Sequence, residues 1–247
     1  MTDSRDSSAL ARRDFLRLGL VAGPASLVAA CGWDGGTLLQ PKLLAVSRVN
    51  DWVGEHVLHS NRRLAREYAV SERSRLMPAY FVAPQMPVLA QPGEWALEVG
   101  GLVRKPMRLT LPMLEAMPRV SYTVKHHCVE GWTTVASWAG VPFSALADLV
   151  GMTPDAGFVR FESFDVDRSG AAYSNGWDLT SAMHPQTIIA YAFNDRPLMP
   201  DHGAPARLYS PVKLGYKLTK YLTRVTFTRQ RPGGYWEDRG YPWLAGI

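Results

Sequence analysis

Apolar and polar positions alternate in some stretches of the chain and recur at helical spacing in others. From residue 49 onward, Val49, Trp52, Val53 and Val57 fall on one helical face, which predicts a short amphipathic helix through about Ser60. Trp95, Leu97 and Val99 alternate with Ala96 and Glu98, a strand that ends at Gly100-Gly101. Val120, Tyr122 and Val124 alternate with Ser121, Thr123 and Lys125, a second strand running straight into His126-His127-Cys128. Phe158 to Phe164 predicts another strand, and Thr223, Val225 and Phe227 mark a late one. Leu111 to Met117 reads as a short helix, Pro142 opens a helix through about Val150, and Leu179 to His184 reads as a single helical turn. Pro78, Pro84, Pro87 and Pro92 make residues 71–94 an extended segment that wraps the body. Strands and helices mix without a regular βαβ rhythm, so the expected class is α+β, with mixed sheets and short helices. The pattern divides the chain into residues 1–31, a tether with helix and wrapping segment over 32–94, and a main body over 95–247.

Composition narrows this little. With 47% hydrophobic and 20% charged residues, the 247-residue chain is globular, neither disordered nor collagen-like. A formal net charge of +5 is too small to argue for nucleic acid, but it leaves room for a local basic pocket around an anion. Eight Trp and ten Tyr provide many buried anchors or the walls of a pocket.

The first 31 residues read as an address. Ala11-Arg12-Arg13-Asp14-Phe15-Leu16-Arg17 is a twin-arginine pattern, followed by an apolar run from Leu18 to Ala30 broken by Gly19, Gly23 and Pro24. That run is shorter than the ~20 residues a membrane helix needs. The expected destination is the periplasm or the outer face of the cytoplasmic membrane, and cargo of this route folds before export, often around a complex cofactor. Val28-Ala29-Ala30-Cys31 reads as a lipoprotein processing box, with Cys31 as the lipidated residue; ordinary cleavage after Ala29 and Ala30 is the alternative. If Cys31 is lipidated or removed, Cys128, the second of two cysteines, has no disulfide partner in an oxidising compartment.

Cys128 ends a strand and enters a loop containing Gly131, with His126 on its own face and His127 on the other. A lone thiol there has four readings. It can be a buried structural cysteine. It can be a nucleophile with His184 or His202 as base, although no local signature supports that. It can join His126 and His127 on zinc or copper, but neighbours on opposite strand faces converge poorly on one ion. Or it can be a soft thiolate ligand to a metal that brings its other ligands on an organic cofactor.

Several blocks bear on that choice. His127-Cys128-Val129-Glu130-Gly131-Trp132, continuing to Trp138-Ala139-Gly140-Val141-Pro142, resembles the molybdenum loop of the sulfite oxidase family, closest to the branch of the periplasmic methionine-sulfoxide reductase catalytic subunit. Phe161-Glu162-Ser163 resembles the strand that offers a hydroxyl to the cofactor there. Ala182-Met183-His184-Pro185 follows in the same order. Next, His202-Gly203-Ala204-Pro205-Ala206-Arg207, with Pro211 to Lys220, resembles the segment that grips the pterin and its phosphate. The resemblance covers roughly residues 48–240. It implies a sulfite-oxidase-type molybdopterin-binding domain over 95–247 and Mo-molybdopterin as cofactor. It makes Cys128 the metal ligand, with Asn50, Ser163, His202, Arg207, Lys213, Lys217, Leu218, Thr219 and Lys220 toward the cofactor. His127 and Trp132 would face the substrate; for Trp177, ordinary packing is the favoured reading.

The sequence departs from the family at instructive places. His202 stands where the reductase branch has Asn, and Ser163 where it has Thr. The Arg pair that follows the Cys loop in sulfite-oxidising members is replaced by Gly131-Trp132-Thr133-Thr134, which argues against sulfite unless Arg160 or Arg168 substitutes. Gly233-Gly234-Tyr235-Trp236-Glu237-Asp238 does not resemble the reductase, and the residues present leave no room for the extra dimerisation domain of sulfite oxidases. The activity implied is two-electron oxygen-atom transfer on a small S- or N-oxide. With no Cys-x-x-Cys-His motif and no iron–sulfur cysteine set, electrons would pass through a separate cytochrome or haem-bearing membrane subunit. The alternatives are a sulfite dehydrogenase, or a non-catalytic exported lipoprotein that keeps the fold.

Overall fold

A computed structural model of the chain describes residues 49, 52–53 and 63–247. The twin-arginine segment, Cys31, Asn50 and most of the helix expected from Val49 lie outside the described residues; Val49, Trp52 and Val53 are helical.

The ten strands are β1 (Ala96–Gly101), β2 (Met107–Thr110), β3 (Val120–His127), β4 (Thr133–Pro142), β5 (Phe158–Val166), β6 (Ala172–Asp178), β7 (Ile188–Phe193), β8 (Arg196–Pro197), β9 (Arg207–Tyr209) and β10 (Leu222–Thr228). Among the described residues from 63 onward three short helices join them: α1 (Leu111–Glu115), α2 (Phe143–Val150) and α3 (Leu179–Ala182). One sheet has the order β2-β1-β10-β5-β6; the other runs β3-β4-β7-β8, with β9 on β7. Only the β1–β10 pair is parallel; all others, such as β3 on β4 and β5 on β6, are antiparallel. This is the α+β architecture that the sequence predicts.

Alternation places the core. In β1, Leu97 and Val99 are buried and Glu98 faces water, as period-two patterning requires. Phe143, which follows Pro142 at the start of α2, packs on Phe161 of β5 and Phe227 of β10. Each such fully buried ring contributes about 1.5–3 kcal/mol. The inward face of β5 starts apolar with Val159 and Phe161 and turns polar with Ser163 and Asp165, all four buried. One strand therefore runs from the hydrophobic core into a polar interior, and buried polar groups call for partners.

Six strands carry no alternation legible in the sequence, β8 and β9 among them at two and three residues. β7 is a continuous apolar run, Ile-Ile-Ala-Tyr-Ala-Phe, buried at all but its last residue. Such runs do not separate strand from helix by period. β4 is buried at Thr134 and from Ala136 to Val141, so small, aromatic and polar residues alike sit inside. β6 buries Ser174 and Asn175, and β2 is only four residues long.

Candidate functional site

A cavity of about 280 Å³ opens between these elements. Cys128 lines it just past the end of β3, together with His126, Glu130 and Trp132. The loop closes as a tight turn: the Cys128 N–H donates to the Trp132 carbonyl at 3.0 Å, and Gly131 N–H to the Cys128 carbonyl at 3.1 Å. His126 and Cys128 share the cavity side, whereas His127, expected at the substrate wall, does not line it, because strand alternation turns it to the opposite face. Aromatic rings extend the wall. Trp132 lies 5.5 Å from His126 and 6.3 Å from Tyr80, and His126 lies 6.1 Å from Tyr209.

Burial pushes the Cys128 thiol up, as does the neighbouring Glu130 carboxylate, against backbone N–H groups of Glu130 and Val129 that favour the thiolate. A nucleophilic cysteine needs the opposite shift and an adjacent base. No histidine among the described residues hydrogen-bonds this thiol: His184 is committed to the Arg63 carbonyl and the Gln186 N–H. His126 is driven down to about 3, by burial first and by Arg207 second, so its imidazole is neutral. Among the described residues no three His, Cys, Asp or Glu side chains converge as a metal site. A metal held at Cys128 therefore brings most of its ligands with it.

Arg207, His202, Leu218 and Lys220 line the same cavity. Arg207 on β9 is buried, and its guanidinium donates to the carbonyls of His202 (3.0 Å), Leu218 (3.1 Å) and Leu208 (3.4 Å) while stacking 4.7 Å from the Trp138 ring. Lys220 Nζ donates to the Asp201 carbonyl at 3.2 Å. Among the described residues neither cation has a carboxylate at ion-pair distance. Burial, then the Arg207 charge, pulls Lys220 down to about 7. Two cations in one desolvated space call for an anion. His202 lies 4.2 Å from the Phe193 ring and 3.8 Å from the Asp201 carboxylate. Burial lowers it.

Other expected residues lie elsewhere. Lys213 and Lys217 do not point at this space. Their ammonium groups are spent in the fold: Lys213 on Asp178 (3.0 Å) and the Leu244 carbonyl (2.7 Å), Lys217 on Glu237 and the Gly176 carbonyl (2.7 Å). Thr219 is buried and accepts from the Asn175 amide at 3.0 Å. The Ser163 hydroxyl accepts from the Asp165 N–H at 3.0 Å, behind the cavity wall. Trp177 is core, donating to the Lys217 carbonyl and packing on Phe161. Arg160 bonds Ser174 and Glu162 on the sheet, and neither it nor Arg168 lines the cavity.

The sequence reading missed much of the wall. Tyr80 and Phe81 line it from the wrapping segment, held there by Asp165. That carboxylate accepts the N–H of Val82 at 3.0 Å and of Ala83 at 2.8 Å. Trp236 and Tyr241 line it from the residues after β10. Gly215 contributes by having no side chain, since a Cβ there would fall 2.8 Å from His126 Nε2. The available signal was an aromatic pair between Pro78 and Pro84, and a second aromatic cluster after Gly233-Gly234.

A ring-walled cavity with one soft sulfur ligand, a buried arginine and a half-buried lysine, neither with a carboxylate partner among the described residues, defines a binding site for an anionic, metal-carrying organic cofactor on a two-sheet α+β frame. A model of the oxidoreductase molybdopterin binding domain matches residues 83–236, and the chain belongs to that family, with the sulfite-oxidase-type fold and Mo-molybdopterin as its cofactor. The putative protein-methionine-sulfoxide reductase subunit YedZ1 of Azospira oryzae is 37% identical over 238 residues, 96% of this chain and 88% of its own. The protein-methionine-sulfoxide reductase catalytic subunit MsrP of Campylobacter jejuni is 28% identical over 245 residues, covering 92% and 76%. Among solved structures, the sulfane dehydrogenase SoxCD from Paracoccus pantotrophus superposes with a TM-score of 0.52 at 24% identity, over 59% of this chain and 41% of that one. At that identity the likeness concerns the fold, and this chain spans less than half of that relative.

The donor set fits the cofactor. Cys128 offers the thiolate, while Arg207 and Lys220 offer charge to a phosphate. Among the described residues His126 Nδ1 and Asp201 Oδ1 are buried without a hydrogen-bond partner, polar atoms that a heteroatom-rich ligand could satisfy.

Proposed function

We propose that this oxidoreductase reduces sulfoxides, taking the oxygen from a small or side-chain S-oxide and releasing the thioether and water at the expense of two electrons and two protons. The observation that carries the reading is the union of Cys128 with aromatic walls, Tyr80, Trp132, Trp236 and Tyr241, in one cavity that has no arginine pair beside the thiol. A neutral, partly apolar S-oxide suits such walls, whereas a sulfite dianion calls for fixed cations. Similarity to the two reductase subunits supports the same reading. When bound, the cofactor supplies a metal centre that cycles by two electrons and exchanges an oxygen atom. The chain's own residues hold and shield it. Cys128 would hold the metal as thiolate, Arg207, Lys220 and His202 would hold the phosphate end, and the four rings would wall the substrate side.

The reading includes the rest of the chain. The twin-arginine segment exports the folded protein to the periplasm or the outer face of the cytoplasmic membrane, and a lipidated Cys31 tethers it there. Electrons arrive from a separate haem-bearing membrane subunit, since Cys128 is the one free cysteine among the described residues and offers no iron–sulfur set. Tethering raises the local concentration at such a partner.

A dye-linked assay of the exported, molybdenum-loaded protein tests this. Sulfoxides, methionine sulfoxide included, should reoxidise the dye, and sulfite should not reduce an acceptor. A sulfite rate exceeding the sulfoxide rate sinks the proposal. Cys128→Ser should lose both molybdenum and turnover while the protein stays folded; a native protein that carries no molybdenum at all would support the non-catalytic alternative.

A further inference from the structure

Residues 232–247 return to the site after β10 and are fastened by buried charge. Glu237 and Lys217 form an ion pair with side chains 3% and 0% exposed. The Lys217 ammonium also donates to the Gly176 carbonyl at 2.7 Å, and the Gly176 N–H reaches Glu237 Oε1 at 3.4 Å. Gly234 makes room for this carboxylate, since a Cβ there would fall 2.3 Å from Glu237 Oε2. That second oxygen is buried without a partner. A buried pair with an unsatisfied oxygen is a poor source of net stability. What it does fix is position.

The position it fixes is that of two rings. Trp236 immediately precedes Glu237, and backbone bonds from Arg239 N–H and Tyr241 N–H to the Trp236 carbonyl, at 3.0 and 3.1 Å, fold the segment into a tight turn. Trp236 and Tyr241 pack 4.9 Å apart, and Tyr241 meets Tyr216 edge-on at 5.3 Å. The Tyr216 hydroxyl donates to the Pro242 carbonyl at 2.5 Å. Beside them, the Tyr235 hydroxyl donates to Asp167 at 2.7 Å. Trp236, Tyr241 and Tyr216 all line the cavity that contains Cys128.

We propose that Glu237 is a positioning residue which, through Lys217, holds Trp236 and Tyr241 as a size-limiting wall of the sulfoxide pocket. The inference rests on reading that cavity as a sulfoxide site, and it names the substrate class: neutral sulfoxides with one small alkyl substituent, the bulk of the larger substituent being limited by the Trp236 ring. A rigid ring discriminates by volume, and one extra or missing methylene in an apolar pocket changes kcat/KM by roughly 10- to 200-fold.

The test compares dimethyl sulfoxide with methyl p-tolyl sulfoxide as substrates of the molybdenum-loaded full chain and its W236A, W236F, E237A and E237Q variants. W236A and E237A should each raise the aryl-to-methyl ratio of kcat/KM by roughly tenfold, chiefly through KM. E237Q, which keeps an acceptor for Lys217, should shift it less, and W236F should stay near wild type. A ratio unchanged within about twofold in either W236A or E237A overturns the proposal. Backbone hydrogen exchange separates this failure from failure of the sulfoxide reading. In E237A the amides of Asp238 to Tyr241 should exchange roughly tenfold faster than in wild type, with the two sheets unchanged. If wild type reduces neither sulfoxide, the substrate reading is lost; if exchange in the turn is also unaltered, the latch is lost as well.

Discussion

Lys217 and Lys220 belong to one short run of sequence, yet they meet different surroundings. Lys217 lies fully inside the protein against Glu237 and 5.0 Å from the Trp243 ring. Lys220 lies over Phe81 and Tyr221 at 5.8 and 5.0 Å and donates only to a backbone carbonyl. Lys213 pairs with Asp178 as Lys217 does with Glu237, whereas Arg207, like Lys220, has carbonyls alone. Four cations that look alike in the sequence thus separate into a pair neutralised by the fold and a pair without a carboxylate partner among the described residues. A buried charge with its own carboxylate fixes position within the fold; a desolvated charge without one calls for an anion from elsewhere.

Exchange of these cations tests the division. The largest effect should come from Arg207→Met, which removes a buried charge from the anion site. Molybdenum content per chain, measured by elemental mass spectrometry at limiting cofactor, should fall roughly 100-fold. Lys220→Met should lower it by roughly tenfold, in keeping with its partial exposure. Lys217→Met should leave loading within about twofold of wild type but strand Glu237, lowering unfolding free energy by roughly 3–5 kcal/mol in denaturant titration. Loading lost in Lys217→Met and retained in Arg207→Met would reverse the assignment.

The smallest effect concerns acid. Hydrogen bonds from Ser169 and Tyr235 hold Asp167 well below the usual carboxylate range. A lowered carboxylate contributes stability that is present above its unfolded value of 3.8 and is lost as pH falls through its lower folded value. Asp167→Asn should therefore lower stability at neutral pH, converge on wild type in acid, and so flatten the acid limb of stability against pH. An acid limb identical in wild type and Asp167→Asn would show that this anchor of the 232–247 segment is not formed in solution.

The same contrast explains what could be read from sequence. β1, β3, β5 and β10 were legible because one or both of their faces follow period two. β4 and β7 were not, because burial on both faces erases the period. Cys128, Trp132, His202, Arg207, Leu218 and Lys220 were legible as site residues through their motifs and do share the cavity. The fate of Lys213 and Lys217 was not. Their carboxylate partners stand 35 and 20 residues away, and nothing in a lysine states which acid the fold will bring. Tyr80, Phe81, Trp236 and Tyr241 were missed for a related reason: they reach the cavity on segments without regular structure, for which periodicity has no rule.

Asp165 gives this arrangement one more property. Its carboxylate grips the backbone at Val82 and Ala83, so the two rings just ahead of that grip take their place from a strand 83 residues further along the chain. The wrapping segment is thereby divided into a registered part and a free-running part. Insertions or deletions among residues 84–91 can be absorbed before β1 begins, while a single residue added between Tyr80 and Val82 would slide both rings along the opening. Homologous chains should accordingly vary in length on one side of that grip and keep strict count on the other.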